Sequence, residues 1–326
     1  MELENRWLRE TYVDLLLEYA QKDERLVLVE ADLMLAAGTK RFAEKYPERT
    51  FDVGIAEANM IGVAAGMAAM GKIPFTHTFT PFSTRRVCDQ VTLSVAYAKL
   101  NVKMMGSDPG VTAELNGGTH MSMEDVAIMR NIPGMTVFEP TDSAQLKKAF
   151  PQIMYHDGPV YIRLLRRNAV RIFEDDCEFQ LGKGIVLKTG RDVTLVASGI
   201  MVAETMEAGR LLNEKGIDAE IINIHTVKPL DTELLLESAR KTGAVVTAEN
   251  HTVINGLGSA VADCLSEHFP VPLQKVGVKD HFGEVGLTEF LKEKYGLKAR
   301  NIVEAAEKAI AMKDGRGSNA EQKSDC

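Results

Sequence analysis

Cysteine is scarce and scattered. The chain has four (Cys88, Cys177, Cys264 and Cys326), with no Cys-x-x-Cys pair and no metal-ligand spacing. That argues against a disulfide-built scaffold or a zinc module, and it predicts reduced thiols in a cytoplasmic protein. No uncharged apolar run approaches the ~18 residues a membrane span requires. The opening segment, MELENRWLRE, is charged from its second residue, so no secretory leader is expected. Positive charge is not in excess: 38 Lys and Arg stand against 46 Asp and Glu, a net −8, which speaks against a general nucleic-acid or anionic-membrane binder. There is no P-loop, and the isolated Gly256-Leu257-Gly258 falls short of a dinucleotide-binding fingerprint. The dipeptide Gly-Asp occurs nowhere.

What the chain does have is an ordinary globular composition and room for two cores. Its 326 residues are 45% hydrophobic and 26% charged. Short apolar runs such as Arg25–Glu30, Ile73–Phe79, Val102–Met105 and Val160–Leu164 alternate with helical stretches such as Trp7–Gln21, Arg85–Tyr97 and Ser143–Tyr155. The alternation resumes after residue 183, with strands at Val193–Ala197, Ala219–Asn223 and Ala244–Glu249. The fold class expected is therefore α/β: two three-layer α/β/α domains with mostly parallel sheets. The expected boundaries are 1–168 and 184–312, joined by a linker at 169–183 and followed by a polar, disordered tail at 313–326.

The stretch Phe51–Asp89, FDVGIAEANMIGVAAGMAAMGKIPFTHTFTPFSTRRVCD, carries the first chemical signal. Glu57 opens a run from Ala58 to Met70 that contains no charge, and length and composition predict a helix buried on most faces. Gly62 and Gly66 cost helix propensity there, so they are expected to permit a close backbone approach. A carboxylate at the head of such a helix needs a partner. Taken alone, Glu57 reads as readily as a residue favoured by its own helix N-terminus.

FDVGIAEANMIGVAAGMA, THTFTPFS and NGGTHMSMEDVAIMRNIPGMTVFEPTD together resemble the pyrimidine-binding domain of the thiamine diphosphate-dependent transketolase family. IHTVKPLD, AENH and DHFGEVG resemble its C-terminal domain, whose role is usually assembly. The resemblance implies that Glu57 hydrogen-bonds N1′ of the cofactor aminopyrimidine. That bond favours the imino tautomer, whose nitrogen then removes the C2 proton of the thiazolium. It further implies that Phe79 and Phe82 stack on the aminopyrimidine, and it places Asp32 in the cofactor-binding set. Where the family often has a third aromatic, this chain has Arg85.

By the same resemblance His120 sits beside the thiazolium and contacts the donor carbonyl oxygen, a catalytic and substrate-binding role. Arg6 and Arg166 match arginines that bind the substrate phosphate, a task suited to the guanidinium fork. Three positions depart from the family pattern: Ala36 in place of a phosphate-binding Ser, Ser107 in place of a substrate-contacting His, and Asn116 in place of a sugar-hydroxyl Asp. Cofactor chemistry reads as retained and sugar recognition as rewritten. The expected donor is a phosphorylated sugar or a ketose with another anionic group, such as a sulfonate.

The family holds Mg²⁺ (or Ca²⁺) on the diphosphate through a Gly-Asp-Gly motif with a downstream Asn. This chain lacks that motif, so no metal ligand is assigned to it. The expectation is a split transketolase whose diphosphate half lies on a separate N-terminal subunit, assembled as α2β2. Two enzyme rivals share parts of the pattern, a 1-deoxyxylulose-5-phosphate synthase-like subunit and a 2-oxo-acid dehydrogenase beta-type subunit. A non-catalytic partner that kept the fold is a third alternative.

Overall fold

The computed structural model describes residues 2–315. The tail expected from residue 313 onward therefore lies, from residue 316, outside the described residues; Lys313 itself ends the last helix, Ala299–Lys313.

Among the described residues, fourteen strands form three sheets. In chain order they are β1 (Leu3–Trp7), β2 (Leu26–Glu30), β3 (Thr50–Asp52), β4 (Ile73–Phe79), β5 (Lys103–Ser107), β6 (Thr136–Phe138), β7 (Val160–Leu164), β8 (Asn168–Val170), β9 (Ile185–Lys188), β10 (Val193–Ala197), β11 (Ala219–Asn223), β12 (Thr226–Lys228), β13 (Val245–Thr252) and β14 (Leu273–Val278). The larger sheet has the order β12-β6-β7-β5-β4-β2-β3 and is parallel except for β12. The second, β14-β13-β10-β11-β9, is parallel except for β9. Every residue of β2, β5, β7, β10 and β11 is buried, the pattern of strands covered by helices on both faces.

Two features tie the halves together. β12 follows β11 in the chain yet pairs antiparallel with β6, so the second half closes the edge of the first sheet. One apolar core also runs between them, joining Met60, Ile61, Met104 and Val137 to Ile224, Val227, Val261 and Leu265. Among the described residues no helix is long and apolar enough to cross a membrane.

Local departures from the sequence expectation have simple causes. The chain before Leu8 is extended rather than helical, because β1 pairs with β8, which itself lies across the expected domain boundary. The expected helix Arg85–Tyr97 is a 3₁₀ turn, a short α-helical segment and a π-helical segment in succession. The helix Glu57–Ala69 is not buried on most faces: Met60, Ile61, Ala64 and Ala65 face the core, while nothing lies within 4 Å of where a Cβ would stand on Gly62 or Gly66. Among the described residues, no backbone from outside the helix approaches those glycines.

Candidate active site

In a parallel α/β sheet, functional side chains gather at the carboxyl ends of the strands, where the loops converge. Here Asp32 follows β2, Glu57 begins the helix after β3, Phe79 ends β4 with Phe82 one turn beyond, Ser107 ends β5, and Arg166 follows β7. Five strands adjacent in the sheet thus deliver six of the sequence-predicted residues to one rim.

Glu57 is 4% exposed. Its Oε1 accepts a hydrogen bond from Arg86 Nη1 at 2.7 Å, which supplies the partner a buried carboxylate requires. The same guanidinium lies 3.8 Å from the Phe82 ring centroid. Phe82, Phe79 and His120 then form an edge-to-face cluster, with His120 centred 5.2 Å from Phe82 and 5.8 Å from Phe79. The two phenyl rings are 6.2 Å apart. His120 Nδ1 is 2.9 Å from Thr119 Oγ1. Arg85 turns away from this wall to Glu124 (2.8 Å), and its other nitrogen donates to the Thr119 carbonyl.

Near Phe79 stands a charged cluster around Arg166. Arg166 lies 6.0 Å from the Phe79 ring and its Nε is 2.9 Å from Asp108 Oδ2, in contact but out of line for a hydrogen bond. Asp108 is fully buried and holds a left-handed backbone (φ 56°). Burial pushes its carboxyl up to about 6, against the opposing pull of Arg166, Arg167 and Arg9. Arg9 lies over the Trp7 ring and donates to the Ala36 carbonyl. Burial and the facing charge of Arg166 lower its pKa.

The remaining predicted residues take no part in this cluster, although Ser107 is the cross-strand neighbour of Phe79. Arg6 is on the surface, paired with Asp14 at 2.5 Å and with Glu10 at 3.6 Å. Asn116 is exposed on the loop that follows β5. Ser107 is buried, and its hydroxyl has no hydrogen-bond partner among the described residues. Asp32, also left-handed (φ 56°), lines a groove of about 550 Å³ with Leu33, Leu35 and Ala36. No group of three or more His, Cys, Asp or Glu side chains among the described residues could hold a metal ion. Sequence reasoning missed Arg86, Asp108 and Arg9. For Arg9 a signal existed, since NRWLRE contains two arginines and only the second falls inside the helix Leu8–Lys22.

Comparison with known proteins identifies the family. The family model described as transketolase, pyrimidine binding domain, matches residues 6–171, and that described as transketolase, C-terminal domain, matches residues 182–302. The 6-deoxy-6-sulfo-D-fructose transketolase subunit SqwH of Clostridium sp. (strain MSTE9) is 69% identical over 97% of this chain and 98% of its own. A putative transketolase C-terminal section from Methanocaldococcus jannaschii is 41% identical over 90% of this chain and 93% of its own. A solved structure described as a split gene transketolase, inactive beta4 tetramer, superposes with a TM-score of 0.86 at 47% identity, covering 94% of this chain and 99% of that one. The chain belongs to the transketolase family, as the subunit of a split transketolase that carries the pyrimidine-binding and C-terminal domains.

Proposed function

We propose that this chain, with a separate diphosphate-binding subunit, transfers a two-carbon ketol unit from a ketose ending in a sulfonate, such as 6-deoxy-6-sulfo-D-fructose, to an aldose phosphate. The donor leaves as an aldose two carbons shorter that keeps its sulfonate. The observation that carries this reading is the Arg166–Asp108 contact at the end of the Phe79–His120 wall. An arginine beside a buried carboxylate presents a reduced positive charge. That suits a singly charged sulfonate better than a phosphate monoester approaching two charges. The 69% identity to a sulfofructose transketolase subunit supports the same donor.

The residues fit the pyrimidine half of thiamine diphosphate. Arg86 already makes the two contacts an aminopyrimidine needs, a hydrogen bond to Glu57 and a stack on Phe82. When bound, the cofactor supplies the carbanion chemistry that a ketol transfer requires. Glu57 hydrogen-bonds the aminopyrimidine, Phe79 and Phe82 hold its ring, His120 faces the donor carbonyl oxygen, and Arg166 orients the anionic end. Mg²⁺ and its ligands belong to the partner subunit in this reading. The uncharged outer face of the helix Glu57–Ala69 supports docking of further subunits, in keeping with an α2β2 assembly. A cytoplasmic setting agrees with the free Cys88, Cys177 and Cys264.

The test mixes the chain with its diphosphate-binding subunit, thiamine diphosphate and Mg²⁺, and compares kcat/KM for 6-deoxy-6-sulfo-D-fructose, fructose 6-phosphate and xylulose 5-phosphate. The sulfonate is expected to lead by about tenfold, a difference of ~1.4 kcal/mol. A phosphate donor in the lead would overturn the assignment.

A further inference from the structure

The second domain reaches into the loop that carries Asp108, Asn116 and His120. Asn250, in β13, is 1% exposed. Its side-chain Nδ2 donates to the Pro109 carbonyl at 2.9 Å, and its Oδ1 accepts from Val111 N at 2.9 Å. Between those two residues Gly110 takes φ 54°, and a Cβ there would stand 2.2 Å from Asn250 Oδ1, so only glycine closes the clasp. The backbone carbonyl of Asn250 is fixed in turn by Arg163 Nη2 at 2.6 Å.

The same loop is held again farther along. Glu114 has a strained backbone (φ 48°, ψ −118°), and its carboxylate accepts from the backbone N (3.1 Å) and hydroxyl (2.6 Å) of Thr288. At Gly118 a Cβ would meet the Gly283 carbonyl at 2.3 Å. The loop is thus moulded against the second domain at three points. One of them is a side chain whose chemistry admits few substitutes. The site needs a donor and an acceptor on one short planar group; an ionised Asp only accepts, and Ala leaves the buried Val111 N–H unpaired.

We propose that Asn250 is a positioning residue for the anionic end of the donor, acting through Asp108. It rests on the function proposed above. Asp108 directly precedes Pro109, so loosening the clasp lets its carboxylate and the Arg166 guanidinium in contact with it shift together, out of place for the donor's anionic end. His120, nine residues beyond Val111 by way of Glu114 and Gly118, keeps its separate hold through the Arg85 bond to Thr119 and the Phe79–Phe82 pair.

The experiment uses the full chain with its partner subunit and the variants Asn250→Ala and Gly110→Ala; the second breaks the clasp from the loop side if the first does not fold. KM for a sulfonate-bearing ketose should rise about tenfold, a loss of alignment smaller than the two buried hydrogen bonds removed, while KM for the uncharged ketose L-erythrulose stays within about twofold. Hydrogen exchange of the Val111 amide, read on the chain alone without substrate, should quicken by about tenfold or more. An equal loss for both donors, or unchanged Val111 exchange in a folded variant, overturns the proposal. A wild-type complex inactive on every ketose would instead refute the proposed reaction, and the exchange measurement would still decide whether Asn250 holds the loop.

Discussion

Arg86 and Glu57 are joined by a 2.7 Å hydrogen bond, and the guanidinium that makes it lies over Phe82, with Cζ 3.8 Å from the ring centroid. A planar cation with N–H donors thereby makes the contacts proposed for the aminopyrimidine. The arginine satisfies a carboxylate that would otherwise be buried alone, and incoming cofactor must displace it. Replacing it should therefore tighten cofactor binding. Arg86→Ala is expected to lower the Kd for thiamine diphosphate by about tenfold in the assembled complex, the worth of one exposed charge-assisted contact. Isothermal titration calorimetry measures this directly, and weaker binding by the variant would show that Arg86 remains beside the cofactor.

The Asp108 carboxyl leads to a pH prediction. Burial lifts it from 3.8 to about 6, so between those values the folded chain keeps a proton that the unfolded chain has lost. Its contribution to stability is therefore complete below about pH 4 and is lost as pH rises through 6. The kinetic consequence has the same direction. Above pH 6 the ionised carboxylate competes with the substrate for Arg166; below it, the neutral acid releases the arginine and can donate to an oxyanion. KM for a sulfonate-bearing ketose, whose charge does not change in this range, should fall severalfold between about pH 7.5 and 5.5. Asp108→Asn should flatten that profile. A wild-type KM that rises on acidification would rule the mechanism out.

How much of this was legible in the sequence depended on how local each feature is. The parallel sheets were legible, because Leu26–Glu30 and Val193–Ala197 are continuous apolar runs of strand length flanked by helical periodicity. Glu57 and the Phe79–Phe82 pair were legible because each lies in a short motif whose spacing is set by one strand-to-helix turn. β12 was not, since its pairing with β6 joins residues nearly ninety positions apart and its sequence, Thr226–Lys228, is too short to show a period. The Arg86–Glu57, Arg166–Asp108 and Asn250–Val111 contacts were hidden for the same reason. Charged and amide side chains look alike in sequence whether they meet solvent or one another, and only the fold decides.

The outer face of the helix Glu57–Ala69 leads to an assembly prediction. Gly62 and Gly66 look onto open space, and around them stand the exposed Ile55 and Met70, with Leu93 and Tyr97 on the π-helical segment Val91–Tyr97. An uncharged helix face bearing two glycines lets another backbone come close. Gly66→Lys should leave the chain folded, since nothing lies within 4 Å of the new Cβ. It should also shift the chain toward monomer in sedimentation velocity, because a Lys ammonium in a packed apolar contact is costly to desolvate. Unaltered oligomers would place the interface elsewhere.

The largest single-site effect on stability is expected at Arg163. It is 1% exposed and lies where the two sheets' loops meet. Its Nε donates to Asp125 Oδ2 at 2.7 Å, its Nη1 to Glu139 Oε1 at 2.5 Å, and its Nη2 to the Asn250 carbonyl at 2.6 Å. Tyr161 adds a bond to Asp125 at 2.8 Å, and Ser198, from the second domain, one to Glu139 at 2.6 Å. Burial is the largest influence on the Asp125 pKa and would raise it, yet the charges of Arg163 and His251 and the hydrogen bonds from Arg163 and Tyr161 together outweigh it, and the carboxyl is held below its ordinary value. Removing the cation leaves two buried carboxylates without a counter-charge, a loss of about 3–5 kcal/mol by analogy with other broken buried pairs. Arg163→Met should lower the urea midpoint accordingly, with no new contact able to compensate. Adding Asp125→Asn and Glu139→Gln removes both stranded charges and should recover roughly half of the loss, since neutral groups cost far less to bury than ions. If Arg163→Met alone costs under about 1 kcal/mol, water reaches the site and the network is weaker than its geometry implies.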